Sequence, residues 1–121
     1  MKLTNIINIS VSIIIVNYRT PSLTLACIDS IYAHTKGVDF EVIVVDNHSE
    51  DDSVERLSKD NRIILIESLR NGGFGYGNNL GMKVARGKYF FLLNSDTLLV
   101  NNAIKEFYDY AESYEPRTLY G

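Results

Sequence analysis

The stretch that most limits the fold is Val11-Ser12-Ile13-Ile14-Ile15-Val16, nearly continuous and β-branched. Such a run suits a central strand, apolar on both faces, in a parallel sheet covered by helices. A second run, Tyr89-Phe90-Phe91-Leu92-Leu93, has five consecutive apolar residues and stops abruptly at a polar Asn94-Ser95-Asp96 corner. It too reads as a strand covered on both faces. Open parallel sheets bind ligands in the crevice beyond the carboxyl ends of their strands. A carboxylate placed there can hold a divalent cation, and the cation can hold phosphate oxygens.

Helix and strand signals alternate through the rest of the chain. After the first strand, Thr20 can cap a helix that has Pro21 at its first position, where the missing N–H costs nothing. Leu25, Ile28, Ile31 and Tyr32 recur at helical spacing, and Gly37 supplies a stop. Residues 40–45 form the second strand, closing on Asp46-Asn47-His48-Ser49. Ser49 and Asp52 resemble a capping box for a short helix over about 50–58. A third strand spans 62–67. The glycine-rich Asn71-Gly72-Gly73-Phe74-Gly75-Tyr76-Gly77 is a loop that leads into a helix ending near Arg86-Gly87. A last helix covers about 102–114, with Ile104, Phe107, Ala111 and Tyr114 inward and Pro116 ending it. The order β-α-β-α-β-α-β-α, with short connections, predicts an α/β fold: a Rossmann-like parallel sheet with helices on both faces. If the strand order reverses beside the first strand, the Asn17-Tyr18 and Asn94-Ser95-Asp96 ends flank one crevice, with Asp46 beside them.

Composition narrows the function. A chain of 121 residues suffices for a single domain with a modest core. A net charge of −3 argues against generic nucleic-acid binding, which uses a basic surface. The single cysteine, Cys27, excludes an internal disulfide and fits a reducing compartment; inside a helical pattern it reads as a small buried hydrophobe. Met1 to Ser10 lacks the features of a secretory signal. No apolar run approaches the roughly 20 residues of a transmembrane helix. These features predict a cytoplasmic protein that can work at the inner face of the membrane.

Asp46 and Asp96 could each be a turn former, but their placement at two strand ends on one sheet edge favours a ligand-binding role for both. His34 and His48 lack a second histidine at ligand spacing and read as surface residues. The glycines at 72, 73, 75 and 77 do not spell G-x-G-x-x-G and follow the third strand rather than the first. Close packing on the sheet explains them equally well, Gly77 and Gly81 above all, one helical turn apart.

Four blocks, in order, resemble family 2 glycosyltransferases. They are Val11 to Tyr18, Glu41 to Ser49, Asn71 to Gly81, and Ala85 to Tyr89 followed by Leu93-Asn94-Ser95-Asp96-Thr97. The glycine-rich block and the Asn-Ser-Asp-Thr ending most resemble the rhamnosyltransferase-like branch, which brings in dTDP-rhamnose as a donor. The resemblance implies a GT-A fold, a nucleotide-diphosphate sugar donor, a divalent metal (Mg²⁺ or Mn²⁺), inversion at the anomeric carbon and a glycan or lipid-linked glycan acceptor. Tyr18 and Asp46 match positions that hold the nucleobase and its ribose, with Asn17 beside them. Asn94-Ser95-Asp96 matches the D-x-D-type motif, so that Asp96 ligates the metal bridging the two phosphates. Asn94 replaces the motif's first aspartate. Asn78-Asn79 stands where many relatives carry Arg-Asn, so Asn78 takes a donor-contact position without the cation.

The family places its acceptor site and catalytic base beyond the D-x-D region. Residues 1–121 are therefore expected to be the nucleotide-sugar-binding part of a longer enzyme, without a base of their own and inclined to self-associate as homo-oligomers. The rival readings are a nucleotide-binding module without transferase activity and a nucleotidyltransferase-like domain.

Overall fold

The computed structural model describes residues 8–118; most of the Met1–Ser10 segment, and Gly121, lie outside them. Four strands, β1 (Val11–Asn17), β2 (Phe40–Asp46), β3 (Ile63–Glu67) and β4 (Tyr89–Asn94), alternate with helices α1 (Pro21–His34), α2 (Ser53–Leu57), α3 (Phe74–Val84) and α4 (Ala103–Thr118). The strands form one parallel sheet in the order β3-β2-β1-β4. The chain moves outward from β1 to β3 and then crosses to the other side of β1, so the order reverses there. That reversal opens a crevice at the carboxyl ends of β1 and β4.

Alternation along the strands builds two cores, one per face. Val11, Ile13 and Ile15 of β1, with Val42 and Val44 of β2, pack against Cys27, Ile28 and Ile31 of α1, Leu57 of α2 and Ile104 of α4. Ile14, Ile43 and Val45 face the other way, toward Leu80 and Met82 of α3. Helix α3 lies so close to the sheet that a Cβ on Gly77 would come within 2.9 Å of Val16 Cγ1, and one on Gly81 within 2.6 Å of Ile14 Cγ2. Close packing is what these two glycines serve.

Several expectations need correction. β4 is not covered on both faces. It is an edge strand whose Phe91 and Leu93 meet the α1/α4 core while Phe90 and Leu92 remain 41% and 48% exposed, because α3 sits over β1 and β2. The capping box does not form. Helix α2 begins at Ser53, the Ser49 hydroxyl donates to Asp46, and Asp51 Oδ1 instead accepts the Ser53 N–H at 2.8 Å. Thr20 occupies the N-cap of α1 with Pro21 following, but its side chain makes no capping bond. Pro116 does not end α4, which runs to Thr118. Tyr114 points outward, 41% exposed, with its ring 4.6 Å from that of Tyr110. No helix among the described residues is long and apolar enough to cross a membrane.

Candidate functional site

The crevice at the reversal is a cleft of about 470 Å³ lined by Val16, Tyr18, Thr20, Leu23, Asn47, Asn71, Gly73, Phe74, Asn94, Ser95 and Asp96. The last residues of β1 and β2 stand side by side, Asn17 opposite Asp46, and Val16 stands opposite Asn94 of β4. Beyond Asn94 the chain turns at once, the Thr97 N–H donating to the Asn94 carbonyl at 3.0 Å, which exposes Asp96 at the rim.

Four of the expected site residues, Tyr18, Asn94, Ser95 and Asp96, meet in this cleft. Three do not reach its lining. Asn17 is fully buried and Asp46 is 3% exposed. The Asp46 carboxylate accepts the Asn17 Nδ2–H at 2.8 Å, the Ser49 hydroxyl at 2.6 Å and the Ser49 N–H at 3.1 Å. Asn17 Oδ1 accepts the Thr24 hydroxyl at 2.6 Å. Both residues thus lie beneath the cleft wall. Asn78, within α3, is buried, its amide donating to the Phe74 carbonyl one turn earlier at 3.2 Å.

Sequence reasoning passed over Asn47, one residue beyond Asp46. It is 3% exposed, and its amide donates to Asn71 Oδ1 at 2.9 Å and to the Gly73 carbonyl at 3.0 Å, tying the end of β2 to the glycine-rich loop. Its Oδ1 has no partner. Strand alternation contains the signal: Asp46 ends β2 on the α1 side, with Val42 and Val44, so the next residue leaves the ladder. Gly73 enters α3 with φ of +93°, a conformation that favours glycine, and no side chain caps that helix.

Among the described residues no cationic side chain lines the cleft. The residues at the β4 end offer one carboxylate, Asp96, with the side-chain oxygens of Asn94 and Ser95 nearby. Among the described residues no three or more His, Cys, Asp or Glu side chains gather in a metal-holding group. This donor set fits Mg²⁺ or Mn²⁺ that arrives with phosphate oxygens and keeps waters, rather than an ion held in a protein cage. Behind the rim, Cys27 is buried, and burial, aided by the Asp96 charge, pushes its thiol up to about 11. It stays protonated and inert, as a core residue should.

A parallel sheet with a polar cleft at its switch point is a ligand-binding α/β architecture. Residues 12–121 match the family described as Glycosyl transferase family 2, and the chain belongs to that family. It is 29% identical over 108 residues to the poly(ribitol-phosphate) beta-glucosyltransferase of Bacillus spizizenii, covering 84% of this chain and 17% of that protein. It is 32% identical over 116 residues to the Escherichia coli UDP-Glc:alpha-D-GlcNAc-diphosphoundecaprenol beta-1,3-glucosyltransferase WfaP, covering 86% and 46%. Among solved structures, S. aureus TarS 1-349 in complex with UDP-GlcNAc superposes with a TM-score of 0.73 at 25% identity, over 88% of this chain and 33% of that one. The mannosyltransferase PcManGT from Pyrobaculum calidifontis, in complex with GDP-Man and Mn²⁺, gives 0.70 at 23%, over 79% and 30%. The chain spans less than half the length of each of these proteins.

Proposed function

We propose that the cleft binds the nucleotide diphosphate of a sugar donor, and that the protein is the donor-binding part of an inverting, metal-dependent glycosyltransferase acting on a cell-surface glycan or lipid-linked glycan. The observation that carries this reading is the meeting of Tyr18, Asn47 and Asp96 at the switch point of a family 2 sheet. Tyr18 offers an aromatic face for a base, Asn47 offers its Oδ1 as an acceptor, and Asn71 its side-chain N–H₂ as a donor. Asp96, flanked by Asn94 and Ser95, would hold a divalent cation. Among the described residues no lysine or arginine lines the cleft, and a cation held there would supply the positive charge, as a Lewis acid, that a nucleotide-diphosphate leaving group needs. Asn17 and Asp46 support the cleft from beneath, and Asn78 fixes the first turns of α3.

Nucleotide binding in related structures includes UDP-GlcNAc for TarS and GDP-Man with Mn²⁺ for PcManGT. The resemblance of the glycine-rich block adds dTDP-rhamnose to the donors to be tried. Thermal-shift titration with UDP, dTDP and GDP, in Mn²⁺ and in EDTA, tests the reading, since a ligand that binds the native state raises its melting temperature. A rise with one nucleotide that requires the metal supports it. No rise with any of them overturns it.

A further inference from the structure

We infer that Asp46 is a positioning residue: its buried carboxylate holds the corner that sets Tyr18 and Asn47 in the cleft wall, and it does not itself touch the ligand. This deepens the nucleotide-binding reading and rests on it. Asp46 receives every one of its side-chain bonds from within the protein, from Asn17 Nδ2 and from the hydroxyl and N–H of Ser49. Neither Asp46 nor Ser49, 1% exposed, contributes to the cleft lining.

The network leads outward from there. The Ser49 hydroxyl accepts the Arg19 N–H at 2.9 Å, and the Ser49 carbonyl accepts Arg19 Nε–H at 2.9 Å. Arg19 lies over the Tyr18 ring, 5.0 Å from its centroid. On the other strand, the Asn47 N–H donates to the Asn17 carbonyl at 2.8 Å. Asp46 therefore reaches Tyr18 through Ser49 and Arg19, and Asn47 through Asn17.

What the network restrains is backbone that would otherwise relax. Arg19, His48 and Glu50 have φ of +59°, +64° and +58°, a region that side-chain-bearing residues enter rarely, and no other non-glycine among the described residues does so. All three flank this corner. Residues held in such conformations persist only where surrounding bonds over-determine them. Asp46 is the acceptor on which those bonds converge.

The test uses Asp46→Asn and Ser49→Ala, singly and together, in the full chain. Ring resonances of Tyr18 and side-chain amide resonances of Asn47 are followed by NMR without ligand, alongside the methyls of Ile31 and Ile104 in the α1/α4 core. UDP affinity is measured with Mn²⁺ by calorimetry. Asp46→Asn is expected to shift Tyr18 and Asn47 and Ser49→Ala to shift Tyr18, and both should leave the Ile31 and Ile104 methyls in place and weaken UDP on the order of tenfold. The double variant should be no weaker than Asp46→Asn alone, because Ser49 lies on a route that the Asp46 change already breaks. Loss of affinity in Asp46→Asn with the ligand-free Tyr18 and Asn47 resonances unmoved would mean that Asp46 acts on the ligand directly, and the inference falls. Shifts of the core methyls together with Tyr18 would reduce Asp46 to a general structural role and overturn it too. If the wild-type chain binds no nucleotide, the functional reading fails, while the ligand-free resonances still decide whether Asp46 sets Tyr18 and Asn47.

Discussion

The two ends of the β1–β2 pair carry the same device in two different forms. At each end a carboxylate on β2 is bonded to a polar side chain directly opposite on β1: Glu41 to Ser12 at the amino end, Asp46 to Asn17 at the carboxyl end. Alternation puts the first pair on the α3 face and the second on the α1 face. At the amino end Arg86 closes the site, its Nε–H and Nη2–H donating to Glu41 Oε1 at 3.0 and 2.8 Å and its N–H to Oε2 at 2.7 Å. Gly87 completes it by donating to Ser12 Oγ at 2.8 Å. At the carboxyl end no cation among the described residues touches the carboxylate, its bonds come from neutral groups, and the adjoining backbone sits at positive φ. One end is neutralised and sealed, so it serves stability. The other is left strained beside the cleft, where sites concentrate such features.

The largest expected effect is therefore at the amino end. Glu41→Ala leaves the Ser12 hydroxyl and the backbone and guanidinium N–H groups of Arg86 without their acceptor. Removing one partner of a fully buried ion pair costs about 3–5 kcal/mol, and since the Arg86 side chain is 49% exposed the loss here should be about 2–3 kcal/mol. Chemical denaturation of Glu41→Ala and Asp46→Ala side by side breaks the comparison if Asp46→Ala proves the more damaging to stability.

Acid should sharpen the same contrast. Burial alone would raise the Glu41 pKa, but the bonds from Ser12 and Arg86 outweigh it and hold the carboxyl below its ordinary range. A carboxylate whose folded-state pKa is depressed contributes stability that is present above its unfolded value of about 4.3 and lost as pH falls through the folded value. Melting temperature should drop as pH falls below about 5 in the wild type, and the drop should be shallower in Glu41→Gln. Equal slopes in the two proteins would show that the Ser12–Glu41–Arg86 cluster contributes nothing to the acid response.

Helix α3, which roofs the face between the two ends, gives the next effect. Gly81→Val drives a branched side chain into Ile14 and Val45, and overpacking of this kind costs about 1–3 kcal/mol. Gly75, whose Cβ would meet nothing within 4 Å, is the control: Gly75→Ala should be neutral or slightly stabilising by denaturation. Asp96→Ala, at the exposed rim, should leave stability in EDTA unchanged and remove the metal-dependent part of any nucleotide-induced thermal shift.

How much of this was legible in the sequence follows from what an apolar run encodes. The β-branched runs of β1 and β2 announced central strands because they are buried on both faces over nearly their whole length. Phe90 and Leu92 carry the same signal in β4, yet their cover depends on where α3 lands and on which strand lies outermost, and neither is encoded locally. The close approach of Gly77 and Gly81 could be inferred from their one-turn spacing. At the site, Tyr18 and Asp96 stood out as polar residues just past strand ends. Asp46 stood out equally, but its side chain turns back into the protein. Whether a strand-end carboxylate meets a ligand or a neighbour depends on what lies across the ladder, and here the partner, Asn17, is 29 residues away in sequence. Asn47 was hidden by its more conspicuous neighbour.

The smallest expected effect concerns what holds the carboxyl-end corner. Thr20 stands at the N-cap of α1, where losing a threonine side chain commonly costs about 1 kcal/mol. Its hydroxyl caps nothing and instead points to Asn17 Oδ1 at 3.4 Å, near the limit of a hydrogen bond, while Thr24 reaches the same oxygen at 2.6 Å from a fully buried position. Thr20→Ala should then change stability by no more than about 0.5 kcal/mol, whereas Thr24→Val, of nearly the same shape, should cost about 1–2 kcal/mol by leaving Asn17 Oδ1 with only the long bond. Because Thr24 anchors the Asn17 amide whose other end donates to Asp46, the Thr24 change should also disturb the Tyr18 ring resonances, and the Thr20 change should not. Equal costs for the two substitutions would mean that α1 is capped in solution by Thr20, and that the corner draws its rigidity from the helix rather than from the Asn17–Asp46–Ser49 network.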